Sequence, residues 1–144
     1  MNLCGLSLGG ILALNYAIDH PEKIKSLVLI GTQYVMPKKL LAVQNVIFRL
    51  MPSKSFESMG FSKKNFIQLS KTMAELDFSM KLGSITCPTL VICGEKDTAN
   101  KKASEELAER IRGASLSLIP GSGHEVNQQA PKWLAEALDD FWRD

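Results

Sequence analysis

The stretch Cys4-Gly5-Leu6-Ser7-Leu8-Gly9-Gly10 decides the reading of this chain. It carries the pattern G-x-S-x-G, preceded by a short apolar stub (Met1, Leu3, Cys4) and followed by a helix-forming run. A serine hydroxyl is a poor nucleophile until it is set in a sharp strand-to-helix turn. There its Oγ stands clear of its neighbours, beside a helix N-terminus. Gly5 and Gly9 fit such a turn, because a Cβ at either place is expected to collide across the tight backbone. The alternative is an incidental serine in a glycine-rich turn.

The flanking sequence favours the first reading. Leu8 to Asp19 reads as a helix with Leu8, Ile11, Leu12, Leu14, Ala17 and Ile18 on one broad face, stopped by His20-Pro21. Ser26 to Ile30 is a continuous apolar run closed by Gly31, as in a buried parallel strand. Strand stub, turn, helix and strand therefore follow in order. His20, at a helix C-terminus, reads as structural.

Two later motifs continue the pattern. Thr89-Leu90-Val91-Ile92-Cys93 reads as a strand, with Gly94 opening a turn that carries Glu95, Lys96 and Asp97. Ser115 to Ile119 reads as the last strand, and Pro120-Gly121-Ser122-Gly123-His124 as the loop after it. Taken with Ser7, these motifs resemble the C-terminal part of the α/β-hydrolase fold family, whose triad runs Ser, Asp or Glu, then His along the chain. Asp97 follows Ser7 by 90 residues and His124 follows Asp97 by 27, both comfortable for that family.

The resemblance implies a nucleophile elbow at Ser7, with His124 as base and Asp97 as the acid that orients it. It also implies an oxyanion donor in the backbone N–H of Leu8, and acyl transfer through a covalent serine ester with no metal or organic cofactor. Asp97 has a competing role as cap of the helix expected near Lys101, which Asn100 fills better; Glu95 reads as solvated.

The implied fold is a partial α/β-hydrolase fold: about four parallel strands flanked by helices, with a small helical cap insertion. Residues 1–33 and 86–144 form the core and 34–85 the cap or lid. The strands are Met1–Cys4, Ser26–Ile30, Thr89–Cys93 and Ser115–Ile119. Lys101–Arg112 reads as a helix with Ala103, Leu107, Ala108 and Ile111 inward, stopped by Gly113. Pro131–Trp142 is the last helix, packed through Trp133, Leu134, Ala137, Leu138 and Phe141.

Within the cap, Lys38–Met51 reads as a helix with Leu40, Leu41, Val43, Val46, Ile47, Leu50 and Met51 on its apolar side, and Ser62 as the cap of a second. Met51, Phe56, Met59, Phe61, Phe66, Met73, Phe78 and Met80 either line an acyl-binding surface or glue cap to core. The segment from Pro37 to Leu82 carries a net charge of +5 against −3 for the remainder. It reads as a solvated lysine-rich face or as a patch that steers an anionic substrate.

An apolar share of 45% with 22% charged residues is ordinary for a globular domain. No apolar run reaches the roughly 18 residues of a membrane span, and the N-terminus lacks the pattern of a signal peptide. Cys4, Cys87 and Cys93 match no metal or redox spacing and read as free thiols, Cys4 and Cys93 buried in strands, hence a cytoplasmic protein. No motif points to nucleic acid.

The resemblance places further strands, and the loop that gives a second oxyanion donor, upstream of the elbow and outside this sequence. The first strand becomes an edge, which invites a homodimer through that edge. Two function classes follow. One is a serine hydrolase, carboxylesterase- or lipase-like, acting on a small-molecule acyl ester. The other is a truncated, catalytically impaired fragment that serves as an assembly or binding module or needs an N-terminal partner chain.

Overall fold

The computed structural model describes residues 1–36, 46–57, 60 and 62–143. The chain divides into two units, Met1–Tyr34 with Phe78–Asp144, and Val35–Asp77.

The first unit is built on a four-stranded, all-parallel sheet of β1 (Asn2–Leu6), β2 (Ser26–Ile30), β3 (Thr89–Gly94) and β4 (Ser115–Ile119), in that spatial order. β2 and β3 are buried along their whole length, which is why their sequences are runs rather than alternations. Val28, Ile30, Leu90, Ile92 and Ile119 share one face, and against it pack Leu134, Ala137, Leu138 and Phe141 of the C-terminal helix Pro131–Arg143. Leu27, Leu29 and Val91 point to the other face. α1 (Leu8–Asp19), after β1, and α4 (Lys101–Arg110), after β3, are crossover helices of this parallel sheet and pack against it. Leu14 of α1 and Leu107 of α4 are wholly buried, each worth roughly 1.5–3 kcal/mol of apolar transfer.

Several expectations are corrected. β1 continues past Cys4 to Leu6, because its pairing with β2 runs on from Gly5–Leu29 to Leu6–Ile30. As the edge strand it leaves Cys4 exposed instead of buried. The helix expected to reach Arg112 ends at Arg110; Ile111 is extended and fully buried, and Gly113 makes the turn at φ +77°. In the C-terminal helix, Trp133 is 54% exposed and does not pack on the sheet, whereas Trp142 donates its Nε1–H to Ser26 Oγ at 3.0 Å.

The second unit begins and ends on a bridge between Val35 and Asp77. It contains a helical turn at 46–50, α2 (Ser53–Glu57) and α3 (Lys63–Met73), the last capped by the Ser62 side chain, which accepts the Asn65 N–H at 3.2 Å. Phe48, Phe56 and Phe66 form its aromatic core, with edge-on contacts from Phe48 to both partners. Phe56, wholly buried, is core and not a lining residue. The expected apolar side at Val46, Ile47 and Leu50 is exposed. Leu40, Leu41, Val43, Met59 and Phe61 lie outside the described residues. Phe78, Leu82 and Ile85 are buried in the first unit, so the second is shorter than the span 34–85 read from sequence.

Candidate active site

The site lies at the carboxyl ends of β1, β2, β3 and β4, where loops leave the sheet. β1 runs into Ser7, which has φ +53° and ψ −116° and is the only non-glycine residue with positive φ among those described. Such a backbone costs roughly 1–3 kcal/mol and persists only where its surroundings over-determine it. Here the Ser7 N–H donates to the Ile30 carbonyl at 2.8 Å, and the Ser7 carbonyl accepts the Ile11 N–H at 3.1 Å.

Two glycines permit the turn. A Cβ on Gly5 would lie 2.2 Å from the Gly9 carbonyl oxygen, and one on Gly10 would lie 1.9 Å from Thr32 Oγ1. Gly9 itself faces open space, so the second indispensable glycine is Gly10 and not Gly9 as the sequence pattern suggests. Leu8 opens α1, and its N–H is one of the donors a helix start leaves without an intrahelical acceptor.

Asp97 sits in the turn after β3, its side chain 4% exposed. His124 sits in the loop after β4, its side chain 41% exposed. The two loops are fastened together: the Lys96 N–H donates to the Ser122 carbonyl at 2.8 Å, and the Gly121 N–H to Glu95 Oε2 at 3.0 Å. Glu95 is therefore a brace for the histidine loop and not merely solvated. On the far side of His124, the Gly123 N–H donates to Gln129 Oε1 at 2.6 Å.

These constraints bring Ser7, Asp97 and His124 together. His124 Nε2 lies 2.9 Å from Ser7 Oγ, and His124 Nδ1 lies 2.8 Å from Asp97 Oδ2. A carboxylate can only accept, so the network assigns the proton to Nδ1 and leaves Nε2 to accept the serine O–H. Gly31, read from sequence only as the end of β2, has φ +52°, and a Cβ there would come within 3.1 Å of His124 Nδ1 and 3.3 Å of Asp97 Oδ2. His20, by contrast, sets its ring tilted against Tyr16, 4.6 Å between centroids.

Asn100 departs from its expected part. It precedes α4 but makes no side-chain cap; its Nδ2 donates to both Asp97 oxygens at 2.9 Å. Its backbone N–H also reaches Asp97 Oδ1, at 3.3 Å. The spacing D-x-x-N was the available signal for this contact. Gln33, which holds the Asn100 amide, had none. Cys93 is buried in β3, and burial pushes its thiol up from the usual range. Among the described residues no group of three His, Cys, Asp or Glu side chains could hold a metal ion, and no helix is long and apolar enough to cross a membrane.

The sequence model described as alpha/beta hydrolase fold matches residues 1–59. A putative carbamate hydrolase, RutD, from Klebsiella pneumoniae is 25% identical over 87% of this chain and 59% of its own length. The enol-lactonase of Burkholderia xenovorans LB400 superposes with a TM-score of 0.87 at 20% identity, covering 99% of this chain and 65% of that one. An esterase from Exiguobacterium antarcticum superposes at 0.86 and 21% identity, covering 99% and 66%. The chain thus spans about three-fifths of the length of the carbamate hydrolase it matches. The matched N-terminal segment contains the turn at Ser7, and the parallel sheet superposes with those of the enol-lactonase and the esterase: the chain carries part of an α/β-hydrolase fold.

Proposed function

We propose that this chain is a serine hydrolase acting on acyl esters. Ser7 is the nucleophile, His124 the general base and then the general acid, and Asp97 the group that orients the imidazole. The observation that carries the reading is the unbroken line from Ser7 Oγ to His124 Nε2 at 2.9 Å and from His124 Nδ1 to Asp97 Oδ2 at 2.8 Å, with Ser7 in the left-handed region. In the first half-reaction Ser7 Oγ attacks the carbonyl carbon as its proton passes to Nε2, and His124 returns that proton to the departing alcohol. Water repeats the sequence on the acyl-serine. The Leu8 N–H is the oxyanion donor, a contact worth roughly 3–4 kcal/mol in the transition state. An enol-lactonase and an esterase among the similar structures support a carbonyl substrate. The free cysteines support a cytoplasmic setting.

The test is covalent labelling. Incubation with a fluorophosphonate and measurement of intact mass should give a single adduct, absent from Ser7→Ala and His124→Ala. A folded wild-type protein that takes no label would sink the proposal.

A second reading rests on β1, which among the described residues pairs with β2 alone and exposes Asn2 and Cys4. On this reading the chain is an assembly module, joined through that strand to a second copy or to a partner chain. A monomer by light scattering at micromolar concentration, with no copurifying polypeptide, would exclude it.

A further inference from the structure

The carboxylate of Asp97 is buried, and its hydrogen bonds come from two residues. His124 Nδ1 supplies one; Asn100 supplies the rest, from its backbone N–H and from its side-chain NH₂, which reaches both oxygens. The orientation of that amide is fixed from outside. Gln33 Nε2 lies 2.9 Å from the Ala99 carbonyl and 2.9 Å from Asn100 Oδ1. A backbone carbonyl can only accept, so the Gln33 atom facing it is the NH₂ group. The Asn100 atom facing that NH₂ must in turn be the oxygen, and the Asn100 NH₂ is left facing Asp97. Donation therefore runs outward from the Gln33 amide, to the Ala99 carbonyl on one side and through Asn100 to the Asp97 carboxylate on the other.

The same NH₂ group lies 3.1 Å from His124 Nδ1. As a donor it cannot receive the Nδ1 proton, so that proton is directed to Asp97 alone. It also shares the carboxylate with the imidazole and draws off part of the negative charge that would favour a doubly protonated ring. We propose that Asn100, its amide turned by Gln33, is a positioning residue that sets how tightly the Asp97–His124 pair holds a proton, keeping His124 free to act as a base. This deepens the hydrolase reading and rests on it for the meaning of the base.

Removing the amide should leave Asp97 with fewer donors and make the pair take up its proton at higher pH, whichever of the two groups carries it. The charged side chains that flank the pair along the chain are Glu95, Lys96 and Lys101 around Asp97, and Glu125 beside His124. Glu95 is engaged by the Gly121 N–H. Neither substitution below alters these four, so their field is common to all the proteins compared.

The chain has two histidines, which makes the experiment self-controlled. The ring Cε1–H resonances of His20 and His124 are followed against pH by NMR in the wild type, Asn100→Leu and Gln33→Met. The expected result is a rise of about one pH unit in the His124 midpoint for Asn100→Leu, a roughly tenfold tighter hold on the proton. Gln33→Met should move it the same way by less, and His20 should not move. An unshifted His124 midpoint in folded Asn100→Leu overturns the proposal. If that variant does not fold, an unshifted midpoint in Gln33→Met overturns it equally. Fluorophosphonate labelling of the wild type separates the two readings: a shift in the variants without labelling supports the positioning role and defeats the hydrolase.

Discussion

Gly94 and Gly123 touch backbone to backbone: a Cβ on Gly94 would stand 2.0 Å from the Gly123 carbonyl oxygen. The loop that carries Asp97 and the loop that carries His124 are thus in register only while residue 94 has no side chain. Gly94→Ala should separate them and cost roughly 1–3 kcal/mol of stability through overpacking. Thermal unfolding reads the stability and fluorophosphonate labelling the register; wild-type values for both would refute the contact.

The glycines of the turn at Ser7 should respond oppositely. Gly9 lies within α1 and faces open space, so Gly9→Ala should raise stability by up to about 1 kcal/mol through helix propensity. Gly10→Ala drives a methyl group into Thr32 and should lower it. Denaturant unfolding of the two variants side by side checks the sign of each.

Asp97→Asn should lower kcat toward an activated ester by about 10⁴-fold, because the amide no longer fixes the imidazole in the productive tautomer. Circular dichroism should stay that of the wild type. A loss under tenfold would show that His124 is oriented by something other than Asp97.

Ser26→Ala removes the acceptor of the Trp142 indole, the bond that ties the end of the C-terminal helix to β2. A loss of about 0.5–1.5 kcal/mol is expected in urea unfolding, with labelling of Ser7 unchanged.

The cysteines should divide by access. Burial pushes both thiols up, so access divides them: Cys93 is enclosed within β3, whereas Cys4 lies open on the sheet edge. Iodoacetamide at neutral pH should modify Cys4 and spare Cys93 until denaturant is added, as peptide mass mapping would reveal.

Much of this was legible in the sequence, for reasons that can be traced to particular residues. Ser26–Ile30 and Ser115–Ile119 appear at the expected bounds because glycine or a polar turn closes each apolar run. Leu8–Asp19 ends where His20-Pro21 forbids continuation. That Ser7, Asp97 and His124 come together was legible because each lies in or beside a glycine-bearing turn that follows a strand. What escaped were matters of facing. Nothing in a linear pattern says that Gly10 meets Thr32 while Gly9 meets nothing, or that an asparagine placed to cap a helix turns back to an aspartate. Cys4 was misplaced because burial of a strand depends on its neighbours, and β1 has one. Gln33 reaches Asn100 across 67 residues of chain, beyond any local signal.

The backbone of Ser7 sets function against durability. At φ +53° a glycine would sit with less strain than a serine, so Ser7→Gly should relax the turn while deleting the hydroxyl. The conformation of this turn thus suits a residue without a side chain better than the serine it holds, and on the hydrolase reading that local strain accompanies the presentation of the hydroxyl.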